Sequence, residues 1–233
     1  MRLNKFLAQS GICARRKADT LIEEQKVLIN SEIAVLGQTL NPGDRVTCMG
    51  KTYVFGQDFV SRTWAYYKPR GVVCTTGGRE KPNLLDQIHL KDRFFAVGRL
   101  DKDSEGLLIL TTDGDLAQKL AHPSFEHEKE YMVECRDVVQ DRHIKALGSG
   151  IELEDGITKP CKVWLKGERS FSMVLEEGRN RQIRRMCRAL NMRVLRLRRV
   201  RIGGLSLQLE PNQLKLLSQE EINKLMLRTN GNT

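Results

Sequence analysis

Two apolar runs joined by a short polar segment constrain the middle of this chain more than any other feature. Residues 94–97 and 107–110 suit buried strands, and the segment between them opens with Gly98-Arg-Leu-Asp101. A carboxylate held at the end of a buried strand beside an arginine stays ionised, so Asp101 can serve as a nucleophile or a base. The alternative is a solvated ion pair with Arg99, which contributes under about 1 kcal/mol.

From about residue 63 onward, short strand patterns alternate with isolated helical patterns. Besides the two central runs, strands are predicted over 64–67, 72–76, 130–135, 161–166 and 171–176. Short helices are predicted over 115–121 and 141–147, and a capping box at Ser218-Gln-Glu-Glu221 begins a C-terminal helix. Strand runs broken by isolated helices predict an α+β fold with a largely antiparallel sheet.

Residues 1–48 are predicted to form a small separate domain of two helices followed by a hairpin. The second helix, over about 15–24, begins with Arg15, Arg16 and Lys17. Free backbone N–H groups and the helix dipole favour a phosphate there, although a plain solvated cluster of cations is the alternative. Residues 49–62 are mixed polar and turn residues and are predicted to be a linker, which leaves 63–233 as the second domain.

The charge of the chain is concentrated in one segment. The net charge is +10, and ten arginines with no lysine or acid lie between Gly178 and Ile202, at positions 179, 181, 184, 185, 188, 193, 196, 198, 199 and 201. The rest of the chain carries equal numbers of basic and acidic residues, 29 of each. Concentrated arginine favours bidentate phosphate recognition, so nucleic acid is the predicted partner.

The arginine segment divides into a helix and a strand. Over 180–191, one helical face is apolar and the opposite face carries Arg181, Arg184, Arg185 and Arg188. In the strand that follows, Leu195 and Leu197 alternate out of step with Val200 and Ile202. A bulge near residues 198–199 would turn all four inward and Arg196 and Arg201 outward, and an irregular strand is the alternative.

Several classes of site and location are disfavoured by the sequence. The six cysteines form no CxxC pair and the four histidines lack metal-ligand spacing, so no metal site is expected. There is no apolar run of about 18 residues and no signal-peptide core, so neither a membrane span nor export is expected. We expect a cytoplasmic protein with reduced cysteines.

Four motifs in order resemble the RsuA/RluB/RluE/RluF family of rRNA pseudouridine synthases. They are Lys68-Pro-Arg-Gly71, Gly98-Arg-Leu-Asp101, Glu128-Lys-Glu-Tyr-Met-Val133 and Gly178-Arg-Asn-Arg-Gln-Ile-Arg-Arg-Met186. The first 48 residues resemble the S4 RNA-binding module, which fits the domain order of the family. The resemblance implies an S4-like domain followed by a catalytic domain with a mostly antiparallel sheet, and isomerisation of one uridine in structured RNA without a cofactor.

The resemblance also implies roles for individual residues. Asp101 matches the essential aspartate, Tyr131 the tyrosine that stacks on the uracil, and Arg184 the basic residue that pairs with the aspartate. Arg99 belongs to the same motif as Asp101, and the motif lysines Lys68 and Lys129 are interpreted as facing RNA. The arginine face of the helix, through Arg181, Arg185 and Arg188, and the cluster of Arg15, Arg16 and Lys17 are interpreted as contacts to the RNA backbone.

Alternatives to these roles remain open at this stage. Tyr131 could be a core aromatic residue, and Arg181 or Arg185 could pair with Asp101 in place of Arg184. The acids near Asp101, which are Asp103, Glu105, Asp113 and Asp115, are interpreted as solvated. Asp101 itself could form a covalent adduct or remove a C2′ proton to give a glycal.

The substrate and assembly are less constrained by the sequence. The phrases Lys102-Asp-Ser-Glu-Gly106 and His127-Glu-Lys-Glu-Tyr131 are more similar to the large-subunit RluF branch than to the RsuA branch, which favours 23S rRNA. The alternatives are 16S rRNA, tRNA, a non-catalytic S4-type protein of ribosome assembly, or a protein that binds acidic partners. A monomer is expected.

Overall fold

The structure is a computed structural model that describes residues 1–57, 61–121 and 127–227. The chain divides into two compact units. Unit 1 comprises Met1–Arg62, Leu90–Phe94 and Thr112–Gly114, and unit 2 comprises Thr63–His89, Phe95–Thr111 and Asp115–Thr233. The expected domain boundaries at 48 and 62 stay a prediction.

Unit 1 contains two helices and a four-stranded antiparallel sheet. Its elements are α1 (Leu3–Gln9), α2 (Arg15–Glu23), β1 (Val27–Ile29), β2 (Glu32–Ile33), β3 (Arg45–Cys48) and β4 (Lys51–Val54). The sheet order is β2-β1-β3-β4. Helix α2 buries Ala18, Leu21 and Ile22, the face predicted from helical spacing. Strand β4 lies inside the predicted linker and pairs with β3, so residues 51–54 form part of the sheet of unit 1.

Unit 2 is built on one large sheet with helices around it. Its helices are α3 (Leu84–Gln87), α4 (Gly114–Ala121), α5 (Asp141–Ser149), α6 (Gln182–Ala189) and α7 (Gln219–Met226), of which the first residue of α4 belongs to unit 1. Its strands are β5 (Thr63–Lys68), β6 (Phe95–Val97), β7 (Glu105–Thr111), β8 (Lys129–Cys135), β9 (Glu152–Leu153), β10 (Gly156–Ile157), β11 (Lys162–Gly167), β12 (Ser170–Leu175), β13 (Val194–Ile202), β14 (Leu205–Ser206) and β15 (Leu214–Leu216).

The large sheet has nine strands, with β11-β12-β8-β13-β7-β5-β15 as its main path. Strand β14 pairs with β13, and β6 pairs with β7. All of these pairs are antiparallel except β13 with β7, which run parallel. The predicted α+β class with a mostly antiparallel sheet is confirmed. The predicted strand over 72–76 is wrong, because only an isolated bridge at Val73 forms there.

Strand β13 shows why its apolar residues are out of step. Its register against β8 shifts between Val194 and Arg196 and again between Arg199 and Arg201. The second shift confirms a bulge close to the predicted position and brings Leu197 and Ile202 to one face. Leu195 is 48% exposed, so the prediction that all four apolar residues turn inward is wrong for it.

None of the helices that the structure describes is long and apolar enough to span a membrane. The longest helices, α2 and α5, have nine residues each.

Candidate active site

The segment after β6 is fixed by backbone hydrogen bonds. Gly98 adopts a left-handed conformation with φ of +67°, which turns the chain out of the strand. The Leu100 N–H donates to the Cys74 sulfur at 3.3 Å, and the Ser104 N–H donates to the Asp101 carbonyl at 3.0 Å. These contacts hold the backbone on both sides of the Asp101 side chain.

Asp101 and Tyr131 line one cleft of about 560 Å³. Tyr131 is half-buried on β8, and its neighbours across the sheet are Met173 and Arg199. Arg99 is exposed and lines the same cleft. The structure therefore brings together three of the residues that the sequence motifs singled out, although they are separated by up to 32 positions in the chain.

Within the described chain, no hydrogen bond or ion pair engages the carboxylate of Asp101. Arg184 donates instead to the carbonyl oxygens of Asp103 at 3.0 Å and of Val194 at 3.4 Å. Burial lowers the pKa of Arg184, and the charges of Asp103 and Asp101 oppose that shift. Arg184 thus interacts electrostatically with Asp101 and fixes the backbone two residues beyond it.

The other arginines of the predicted stripe have different surroundings. Arg181 lines the cleft in a left-handed conformation, and its guanidinium lies 3.6 Å from the carboxylate of Asp103. Arg185 makes a bidentate pair with Asp155, at 2.8 and 3.0 Å, and Arg188 is exposed. The alternative pairings of Arg181 or Arg185 with Asp101 are absent from the described part of the chain.

The side chain of Lys68 is buried beneath the turn that follows β5. Its side chain is 0% exposed, and Nζ donates to the carbonyl oxygens of Pro69 and Val72, both at 2.8 Å. Burial lowers the pKa of Lys68 to about 8. The predicted RNA contact of Lys68 therefore has no exposed ammonium to make it, because Nζ is bound by the carbonyl oxygens of the turn after β5. The same turn also contacts the segment that contains Asp101, because the Gly71 N–H donates to the Lys102 carbonyl at 2.8 Å.

Lys129 is half-buried, two residues before Tyr131 on the same face of β8. Its Nζ donates to the His127 carbonyl at 2.9 Å. Burial, and then the charge of Arg199, lower the pKa of Lys129 to about 8. It lines a second cavity of about 380 Å³ that shares Tyr131 and Arg99 with the cleft.

Arg15, Arg16 and Lys17 belong to unit 1 and lie at the start of α2. All three are exposed, and no side chain caps the helix at Ala14. This geometry leaves N–H groups of the first turn available to an anion beside three cations. The RNA contacts assigned to this cluster stay a prediction.

Glu105 differs most from its sequence interpretation. It was interpreted as solvated, but it opens β7, is 6% exposed and pairs with Arg196. Arg196 also lies 3.8 Å from Glu134, and Arg201 pairs with Glu128 and Glu130 at 3.2 and 3.0 Å. Arg196 and Arg201 are therefore paired with carboxylates on the face of β13 that is opposite Tyr131.

Cys74 and Asp155 have structural roles in the site that the sequence did not reveal. Cys74 is buried in the cleft wall, and burial raises the pKa of its thiol. Asp155 is in the β9–β10 turn. Its carboxylate accepts from Arg185, and the guanidinium of Arg179 donates to the carbonyl of the next residue, Gly156. Neither residue belongs to a motif, so no local signal identified them. Among the described residues, no group of three His, Cys, Asp or Glu side chains is placed to hold a metal ion.

Comparison with known proteins identifies the family. A model of RNA pseudouridylate synthases matches residues 62–189, and a model of the S4 domain matches residues 1–46. Dual-specificity RNA pseudouridine synthase RluF of Escherichia coli (strain K12) is 40% identical over 209 residues, covering 89% of this chain and 71% of the relative. Ribosomal large subunit pseudouridine synthase B of Vibrio cholerae is 37% identical over 217 residues, covering 88% and 67%.

A solved structure agrees with these matches. The crystal structure of a pseudouridylate synthase has a TM-score of 0.70 and 30% identity, and the match covers 97% of this chain and 99% of that one. Fold and sequence together define an RNA-modifying enzyme with an S4 domain. The chain belongs to the RNA pseudouridine synthase family, as the four motifs predicted.

Proposed function

We propose that this enzyme converts one uridine of structured ribosomal RNA, in the large subunit, to pseudouridine, with Asp101 as the catalytic carboxylate. The observation that carries the proposal is the carboxylate of Asp101, which forms no hydrogen bond or ion pair in the described chain and shares a cleft with Tyr131. The name of the Vibrio cholerae relative, ribosomal large subunit pseudouridine synthase B, supports the choice of large-subunit rRNA.

The reaction needs few groups. Breaking the C1′–N1 bond develops positive charge on the ribose and negative charge on the uracil. The carboxylate of Asp101 is proposed to stabilise the ribose cation, and either attacks C1′ or removes a C2′ proton. The uracil anion stays bound while it turns, and C5 forms the new bond to C1′ as the bond from C1′ to Asp101 breaks or as the C2′ proton returns. C5 then loses its proton and N1 takes one up, so the product is an isomer of the substrate. A hydrolase would need a group that activates water, whereas the isomerase must keep water away from the ribose cation.

Tyr131 is proposed to stack on the detached uracil, because its half-buried ring belongs to the same cleft. Arg184 is proposed to steady the aspartate: its electrostatic interaction with Asp101 and its hydrogen bond to the Asp103 carbonyl support that role. Arg99 and Arg181 line the cleft and can contact the phosphates beside the target. Extruding the uridine costs a few kcal/mol, which such contacts offset.

Contacts remote from the reacting atoms complete the proposal. Exposed Arg188 and the cluster of Arg15, Arg16 and Lys17 are proposed to bind the RNA backbone, which is recognised largely by shape. Arg185 contributes only indirectly, since Asp155 occupies its guanidinium. We further propose that the enzyme acts in the cytoplasm as a monomer.

The test incubates the full chain with unmodified 23S rRNA, 16S rRNA and tRNA, and maps pseudouridine by carbodiimide-dependent stops of reverse transcription. We expect one major site in 23S rRNA and no product from D101N. D141N is the control, because Asp141 is exposed at the start of α5 and does not line the cleft, so this variant should preserve most of the activity. Absence of product from the wild type, or equal product from D101N, contradicts the catalytic proposal, and a site in 16S rRNA or tRNA alone contradicts the choice of substrate.

A further inference from the structure

A second cavity adjoins the catalytic cleft in unit 2. Its volume is about 380 Å³, and it shares Gly98, Arg99, Tyr131, Glu177 and Gly178 with the cleft. Volumes above about 300 Å³ are typical of sites for small ligands. Asp101 lines the first cleft and not the second cavity, so the reacting uridine is assigned to the first cleft and the second cavity is left for another part of the RNA.

A buried arginine in this cavity lacks an anionic partner. Arg199 is 3% exposed, and its Nε donates to the Leu107 carbonyl at 2.7 Å. Its Nη2 atom is buried without a hydrogen-bond partner, and no carboxylate of the described chain forms an ion pair with it. A buried guanidinium is costly unless an anion or several acceptors satisfy it, so this atom indicates a missing acceptor.

Further cations surround the same space. Lys129, Lys159 and Arg99 line the cavity together with Arg199. The lowered pKa of Lys129 reflects burial and the neighbouring charge of Arg199, which an anion between them would relieve. Two carboxylates also line it. Glu176 is exposed, and Glu177 accepts hydrogen bonds from Arg179, Gln182 and the Lys159 N–H.

We propose that the cavity beside Tyr131 binds a phosphodiester group of the RNA, the one next to the target uridine, through Arg199 and Lys129. This inference rests on the proposed function and names a subsite of the same enzyme. A planar guanidinium and an ammonium together suit the tetrahedral oxygens of a phosphate. Val97, Ile109 and Ile202 form an apolar part of the wall, and the buried side chain of His127 also lines the cavity.

The test uses the stem-loop that contains the mapped uridine, prepared with pseudouridine at that position so that no turnover occurs. Single phosphates on either side are replaced by uncharged methylphosphonates, and the dissociation constant of the full chain is measured for each RNA. We expect one flanking position to weaken binding about tenfold, equivalent to about 1.4 kcal/mol. If no flanking position changes the wild-type dissociation constant by more than about twofold, the proposal fails.

Variants then assign that phosphate to the cavity. In K129M the same methylphosphonate should have no further effect, whereas K129R should keep the wild-type response because it retains the charge. K166M removes an exposed lysine of β11 and serves as the matched control, with the full response expected. An equal effect of the methylphosphonate in wild type and K129M overturns the proposal. A second RNA carries an abasic site beside the target uridine and keeps all of its phosphates. If K129M abolishes the effect of the abasic site and not that of the methylphosphonate, the cavity binds a base and the proposal is also overturned.

The wild-type measurement stands even if K129M folds poorly, and urea unfolding of each variant identifies that case. Pseudouridine mapping separates failure of the phosphate subsite from failure of the proposed function. If wild type forms pseudouridine but no flanking methylphosphonate has an effect that K129M abolishes, only the phosphate subsite is refuted. If wild type forms no pseudouridine, the proposed function is refuted.

Discussion

Gly106 lies directly against the backbone of Arg199 where β7 and β13 run parallel. A Cβ atom on Gly106 would lie 2.3 Å from the Arg199 carbonyl oxygen and 2.8 Å from its nitrogen. The φ of Gly106 is +106°, a conformation that residues with side chains rarely adopt. The close approach allows the two strands to pair and places Arg199 beside the cavity next to Tyr131.

The first prediction tests this contact. We expect G106A to lower the free energy of unfolding by about 3 kcal/mol or more, because backbone atoms must move to relieve the clash. The readout is urea unfolding followed by tryptophan fluorescence, and both tryptophans, Trp64 and Trp164, belong to unit 2.

Gly78 provides a matched control for the steric part of the effect. It has the same φ of +106°, but nothing lies within 4 Å of the Cβ that a side chain would add. G78A should therefore cost only the conformational strain, about 1–2 kcal/mol. Equal losses in the two variants would show that strain alone, and not contact with Arg199, explains the glycine.

The second prediction concerns the pH dependence of stability through Lys68. Its pKa in the folded protein is about 8, below the value of about 10.4 of an unfolded chain. Between these values the unfolded chain binds more protons, so the contribution of Lys68 to the free energy of unfolding rises with pH by up to about 1.4 kcal/mol per unit.

K68M removes this contribution. The free energy of unfolding of wild type minus that of K68M should therefore increase from pH 8 to pH 9.5, because only wild type gains stability through Lys68. Both proteins retain Lys129, so its similar shift cancels in the comparison. If the free energies of unfolding of wild type and K68M change by the same amount over this pH range, Lys68 keeps an ordinary pKa in the folded protein.

The sequence predicted the elements whose information is local. The face of α6 that buries Ile183, Met186 and Cys187 follows from helical spacing, and the capping box at Ser218 begins α7 where predicted. The motifs also identified Asp101 and Tyr131 as candidates for one site, and the structure places them in one cleft.

Pairings between distant residues were beyond the reach of sequence reasoning. Glu105 resembles a solvated turn residue until its partner Arg196, 91 positions later, is brought beside it by parallel strand pairing. Lys68 resembles a surface lysine because nothing local reveals that the turn after β5 closes around its ammonium. Polar residues that become buried through tertiary contacts carry no hydrophobic pattern, so periodicity cannot find them.

The third prediction concerns Asp155, which fixes one wall of the cleft. Arg185 pairs with its carboxylate, and Arg179, which lines the cleft, donates to the carbonyl oxygens of Gly156 and Ile157 at 2.8 and 2.6 Å. We expect D155N to reduce kcat/KM about tenfold, because displacement of a positioning group misaligns the substrate.

The adjacent Glu154 is exposed and forms no hydrogen bond or ion pair within the described residues, so E154Q is the control and should retain nearly full activity. D155E keeps the charge and should restore part of the loss. Steady-state kinetics on the mapped stem-loop measure all three variants. Equal activity of D155N and E154Q would refute the positioning role.

The last prediction tests the anion site at the start of α2 through its dependence on salt. Single-stranded RNA releases about 0.7 counterions for each phosphate neutralised, so three contacts contribute a slope of about −2 to a plot of log affinity against log salt. The variant R15Q/R16Q/K17Q should therefore bind the stem-loop more weakly at low salt, with a slope that is shallower by about 2. K26Q is the control, because exposed Lys26 follows the same helix and already pairs with Glu24 at 2.8 Å. If the triple variant keeps the wild-type slope, the three cations do not contact RNA phosphates and are a solvated cluster.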